Sequence, residues 1–112
     1  DMLTEDFDMF ATGYGMRVNF PVAFKRFNGQ IKEKGLKVRA LITEQMRHED
    51  QGTVMPRYLP EHFTLPVNTS ILRDMVVVFI WEKDPIAIQI RSKDVADAYR
   101  KYFDFMWKMA KK

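Results

Sequence analysis

His48 and His62 are the two histidines of this 112-residue chain, and it has no cysteine. Thiol catalysis, disulfides and iron–sulfur ligation are therefore excluded. His48-Glu49-Asp50 is a place where an imidazole adjoins carboxylates. Adjacent residues point in different directions, however, whereas a helix offers metal ligands at i and i+3 or i+4. Downstream of His48 those positions hold Gln51 and Gly52. A solvated polar loop accounts for the triplet better than a metal, and neither metal nor cofactor is expected. Gly13-Tyr14-Gly15 follows a candidate strand but lacks the third Gly of a dinucleotide loop and any Gly-Lys-Ser/Thr. A tight turn is its simplest use. Its place at the carboxyl end of the first strand, where open α/β sheets bind ligands, keeps Gly13 and Gly15 as candidate ligand-binding residues.

Three arginines complete the candidate site. Arg39 alternates with Val38 and Ala40 and so points to the other face of its strand, while Arg57 and Arg73 lie in or beside neighbouring strands. Arginines near strand ends can clamp an anionic effector, because the guanidinium fork matches carboxylate or phosphate geometry. The competing use is an ion pair with a buried or rim carboxylate such as Asp74 or Asp8. The expectation is a small anionic effector at the carboxyl ends of the first two strands, beside Gly13, Gly15 and Arg39. The acidic start (Glu5, Asp6, Asp8) is expected to be solvated or paired with Lys and Arg.

The elements that must position these residues follow from periodicity. Residues 7–12 form a first strand. Asn19 is placed to cap a helix with Pro21 in its first turn, where a missing N–H costs nothing. Phe20, Phe24, Phe27 and Ile31 then make one apolar stripe, and Gly35 ends the helix. Gly29 weakens that helix interior by about 1 kcal/mol relative to Ala. Residues 36–43 form a strand with Leu36, Val38, Ala40 and Ile42 on one face, so strand, helix and strand suggest a βαβ unit with parallel pairing. The polar stretch 44–53 starts helical and continues as loop, and residues 54–59 form an edge strand because Pro56 cannot donate to a ladder. Residues 60–68 read as irregular.

The last third reads as a hairpin and a helix. The unbroken apolar run 76–81 predicts a strand covered on both faces. Residues 82–85 turn the chain, and Ile86, Ile88 and Ile90 alternate with Ala87, Gln89 and Arg91. Ser92 caps a helix with Asp94 in its first turn, where a negative charge suits the helix dipole. In that helix Val95, Tyr99, Tyr102, Phe103, Met106 and Met109 recur at helical spacing, and Phe105 and Trp107 flank the stripe on either side. So wide an apolar surface exceeds what one sheet face needs. A second contact is expected, most simply a two-fold homodimer with Phe105 and Trp107 in or beside it. Nucleic-acid stacking would require these rings exposed among basic residues, and helical spacing favours core or subunit interface instead. The full order predicted is β-α-β-β-β-β-α, an α/β fold with a mixed sheet and helices packed on it.

Composition sets the broad class. Hydrophobic residues make up 46% and charged residues 29%, ordinary for a globular protein, and nine Phe with eight Met imply a core of large, adaptable side chains. A net charge of +3, with Lys and Arg scattered, lacks the one-faced clustering of a nucleic-acid surface. No apolar run approaches the ~20 residues of a membrane helix, and no signal-peptide pattern opens the chain, so a cytoplasmic location is expected. The sequence begins at Asp1, and MLTEDFDMF reads as entering a fold already under way. Residues 1–112 are accordingly expected to be one domain excised from a longer protein.

Two blocks carry a family resemblance. VVVFIW…DPIAIQIRSKDVADAYRKYFDFMW resembles the end of the regulatory domain of TrmB-like archaeal transcription regulators: a strand, a turn with Pro, a second strand and a "va-ay-kyF--lW" helix. FKRFNGQIKEKGLKVRALIT resembles the same family's helix, Gly and "KVR-L" strand. The resemblance implies half of a phospholipase D-like fold, whose active enzymes carry His-x-Lys-x4-Asp. Thr64 and Thr69 stand at those spacings after His62, and Asp50 and Met55 after His48, so the motif is missing. The implied role is non-catalytic: effector sensing, dimerisation or both, controlling a helix-turn-helix that binds DNA. No helix-turn-helix with a basic recognition helix is found in these residues. The alternative is a degenerate phosphodiesterase or nuclease half-domain with residual phosphate or nucleic-acid binding.

Overall fold

The computed structural model describes residues 5–11, 20–49, 51–60, 67–80 and 83–112. Six strands form one mixed sheet: β1 (Phe7–Phe10), β2 (Val38–Thr43), β3 (Met55–Leu59), β4 (Asn68–Leu72), β5 (Met75–Ile80) and β6 (Ile86–Arg91). Their spatial order is β3-β2-β1-β4-β5-β6. β1 pairs parallel with β2 and β2 with β3, whereas β4, β5 and β6 join antiparallel from the other side of β1. Helix α1 (Pro21–Lys34) packs on one face through Phe27 and Ile31, and α2 (Lys93–Met109) on the other through Ala96 and Phe103. The result is three layers. Among the described residues no helix is long and apolar enough to cross a membrane.

β1, α1 and β2 form the expected parallel unit, and β3 is an edge strand containing Pro56. In β2 the alternation is faithful: Val38, Ala40 and Ile42 pack on the α1 side and Leu41 on the α2 side, all fully buried. α1 begins at Pro21 with no side-chain cap, Asn19 lying outside the described residues. Gly35 closes the helix at φ 65°, where the Leu36 N–H donates to the Ile31 carbonyl (3.0 Å). α2 is capped as expected, with the Ser92 hydroxyl accepting from the Val95 N–H at 3.2 Å.

The strand count differs from the sequence reading. β4 falls on residues 68–72, partly within the stretch read as irregular, and it sits mid-sheet between β1 and β5. Its Asn68, Thr69 and Ser70 are buried polar side chains, so it shows neither alternation nor an apolar run. Position in the sheet, not side-chain hydropathy, makes it a strand.

Gly52 supports a local test of this architecture. It has φ 71°, and a Cβ there would collide with the side-chain amide of Asn28 on α1. That amide oxygen accepts from the Thr53 N–H (3.1 Å) and hydroxyl (3.0 Å), tying α1 to the loop before β3. Gly52→Ala is expected to cost about 2–3 kcal/mol, combining left-handed backbone strain with displaced hydrogen bonds. Gly29, inside α1 with open space around a Cβ, should behave oppositely. Gly29→Ala is expected to stabilise by about 0.5–1 kcal/mol. Thermal unfolding of both variants checks the pair.

Candidate functional site

Asp8 on β1 and Arg39 on β2 are direct neighbours in the parallel ladder and face the layer of α2. The Arg39 guanidinium donates through Nε to Asp8 Oδ1 (2.8 Å) and through Nη2 to Asp8 Oδ2 (2.9 Å), a bidentate pair. The same Nη2 also donates to Asp104 on α2 at 2.9 Å. Both edges of the fork that Nη2 shares are thereby engaged, so an incoming carboxylate finds no free bidentate edge here. Hydrogen bonding by Asp8, outweighing the effect of burial, raises the already high pKa of Arg39 and holds it charged.

Aromatic rings close over the pair. The Arg39 guanidinium lies 4.9 Å from the Phe103 centroid and 5.3 Å from that of Trp107, and these two rings stack at 5.6 Å. Arg57 on β3 approaches the Trp107 ring at 4.4 Å and donates to the Trp107 carbonyl at 2.8 Å. Arg39 and Arg57 thus share one aromatic side chain, an arrangement that locks α2 onto β1, β2 and β3. Arg73 stands apart from that stack. It occupies the β4–β5 turn at φ 50°, its side chain exposed and 3.6 Å from Glu5, while its carbonyl accepts from Arg100.

The placement corrects the expected crevice. Arg39 is the second residue of β2 and pairs with the second residue of β1, so it stands at the amino ends of these parallel strands. The expected location beside Gly13 and Gly15 is at the carboxyl end; those glycines lie outside the described residues. At the amino end a notch of about 300 Å³ is lined by Asp6, Asp8, Lys37, Arg39, Ile71 and Arg100, among others. Asp6 accepts there from the Lys37 backbone N–H at 2.8 Å. Among the described residues no group of three or more His, Cys, Asp or Glu is placed to hold a metal. His62 lies outside the described residues, and His48 is exposed.

Phe105 and Trp107 take different environments. Trp107 is half-buried, packed against the core and clamped by the two arginines. Phe105 is 65% exposed, with Tyr102 and Met109 nearly as open. At about 100° per residue, Arg100, Asp104 and Trp107 form one flank of α2, held by the Arg73 carbonyl of the β4–β5 turn, Arg39 of β2 and Arg57 of β3. Tyr102, Phe105 and Met109 fall on the opposite, exposed flank. Ile86, Ile88 and Ile90 pair with Ile80, Val78 and Val76 and so share the α2 face, yet all three are exposed. Sequence reading saw the isoleucine alternation but had no means of placing this strand at an edge.

One solved structure is similar in fold. TrmBL2, an archaeal chromatin protein whose structure shows a novel mode of DNA binding, matches with a TM-score of 0.60 at 17% identity. The match covers 97% of this chain and 43% of TrmBL2, so the chain spans less than half of that protein's length. No protein-family model matches the chain, and no curated protein does.

Proposed function

We propose that this chain is the non-catalytic regulatory domain of a TrmB-like archaeal transcription regulator, built as half of a phospholipase D-like fold and working in the cytoplasm. The observation that carries the reading is the fold likeness to TrmBL2 over nearly the whole chain. The strand-turn-strand-helix block that resembles the family falls on β5, β6 and α2. In this reading DNA is contacted through a helix-turn-helix outside these residues. The domain acts on that module by self-association, by sensing a small anionic effector, or by both.

Two measurements on the purified chain test it. Metal-free hydrolysis of bis-nitrophenyl phosphate is expected to be absent, because neither His48 nor His62 has Lys and Asp at the required spacings. Turnover that disappears in His62→Ala would overturn the regulatory reading in favour of a phosphodiesterase. Binding to duplex DNA at physiological salt is expected to be no tighter than the roughly 10⁻⁴–10⁻⁶ M of non-specific association. Sub-micromolar binding by this chain alone would place DNA recognition within the domain and refute its assignment to a separate module.

A further inference from the structure

We propose that the exposed flank of α2 is a docking surface for an amphipathic helix of a partner protein, one that carries acidic residues beside its apolar seam. The proposal goes beyond the regulatory reading and does not depend on it. Tyr102, Phe105 and Met109 are 63%, 65% and 59% exposed. Their spacing of three and then four residues is the rhythm by which one helix packs along another. The half-buried Ala98 extends the same seam one step toward the start of α2. Tyr99 and Met106 form the inner margin and pack into the core, and the Tyr99 ring meets that of Tyr102 edge-on at 6.3 Å. Lys101 and Lys108, both exposed, form the outer margin, at the positions where paired helices choose partners by charge.

Charge decides what this seam accepts. The carboxylates three or four residues from these lysines are already engaged. Asp97 accepts from Lys93 at 2.7 Å and from Arg100 at 3.2 Å, and Asp104 accepts from Arg39 at 2.9 Å. Among the described residues neither Lys101 nor Lys108 has a carboxylate partner. A facing helix with Asp or Glu along its margin supplies both partners at once. A second copy of α2 does not. Laid antiparallel with the large side chains matched, it brings Lys101 of one helix to Lys108 of the other; laid parallel, it offers Lys101 only Met106, which packs into its own core. Nucleic acid fits less well, since two lysines beside one seam fall short of a basic face and helical spacing does not match a stack of bases. The three large side chains leave roughly 350–400 Å² open, less than the about 800 Å² per partner of a globular interface and suited to a single helix.

Fluorescence anisotropy of labelled peptides titrated with the whole chain tests the proposal. The probe has about four heptads with Leu at a and d and Glu at e and g, charges that also keep it from pairing with itself. Its counterpart carries Lys at e and g. The Glu peptide should bind with a Kd of about 10–100 µM at low salt and weaken severalfold at about 0.5 M salt, where charges are screened. The Lys peptide should bind at least about tenfold more weakly. Phe105→Ala should weaken the Glu peptide about tenfold, and Lys101→Glu combined with Lys108→Glu should reverse the preference between the peptides. All three positions are exposed, and the melting temperature of each variant checks that it stays folded. Equal binding of the two peptides, or no binding at about 1 mM, overturns the proposal. A preference untouched by the charge reversal overturns it too. A single-stranded oligonucleotide that binds more tightly than the Glu peptide and is lost in Phe105→Ala would give the surface to nucleic acid. A dimer in sedimentation that Phe105→Lys dissolves would give it to a second copy, and either result refutes the acidic helix.

Discussion

Replacing Phe103 with alanine is expected to cost about 3–5 kcal/mol, a large share of the 5–15 kcal/mol that holds a domain of this size together. Phe103 is completely buried at the centre of the α2 contact. Its ring meets Phe10 of β1 edge-on at 5.3 Å, stacks on Trp107 and lies beneath the Arg39 guanidinium. Truncation leaves a cavity between helix and sheet and removes contacts to three neighbours at once. Urea unfolding should show a lower midpoint with the slope little changed. Phe105→Ala is the control two residues away: at 65% exposure it should change the unfolding of the monomer by about 0.5 kcal/mol or less. Equal costs for the two variants would mean that α2 is rotated on the sheet.

Arg39→Ala is expected to destabilise by about 2–3 kcal/mol, lowering the melting temperature by roughly 10 °C. The Asp8 side chain is only 16% exposed, so deleting its bidentate partner strands a carboxylate largely out of water. Contacts to the Phe103 and Trp107 rings go as well. The figure stays below that of a fully buried pair because a third of the Arg39 side chain remains solvated. Arg39→Lys keeps the charge but loses the fork, and should fall between wild type and alanine. Asp104→Ala, whose side chain is 56% exposed, should cost less than about 1 kcal/mol. Combining Arg39→Met with Asp8→Leu should restore much of the loss, since an apolar pair needs no charge compensation. Were Arg39 instead an effector ligand, Arg39→Ala would melt normally and lose metabolite-induced stabilisation by about ten- to a hundredfold in affinity. A thermal-shift screen of sugar phosphates, nucleotides and organic acids on both proteins separates these results.

Features governed by neighbours in the chain were legible from residue order. Ser92 as a cap, Gly35 as a stop, Pro56 on an edge and the apolar alternation of β2 depend on local backbone geometry or on a repeat of two or three to four residues. Even the Asp8 partner of Arg39 stood among the candidate carboxylates, because both lie on adjacent strands of one βαβ unit. Three features were not legible, each for want of a long-range neighbour. β4 is a strand because β1 and β5 claim its backbone, although its Asn, Thr and Ser side chains signal nothing of the kind. Asp104 reaches Arg39 across 65 residues of sequence. Phe105 and Trp107 flank the same stripe, and only contacts distant in sequence separate them. Arg39 of β2 and Arg57 of β3 clamp Trp107, whereas Phe105 is left 65% exposed. Helical periodicity defines an apolar arc but not which of its margins will be covered, since that depends on side chains that remote strands bring to it.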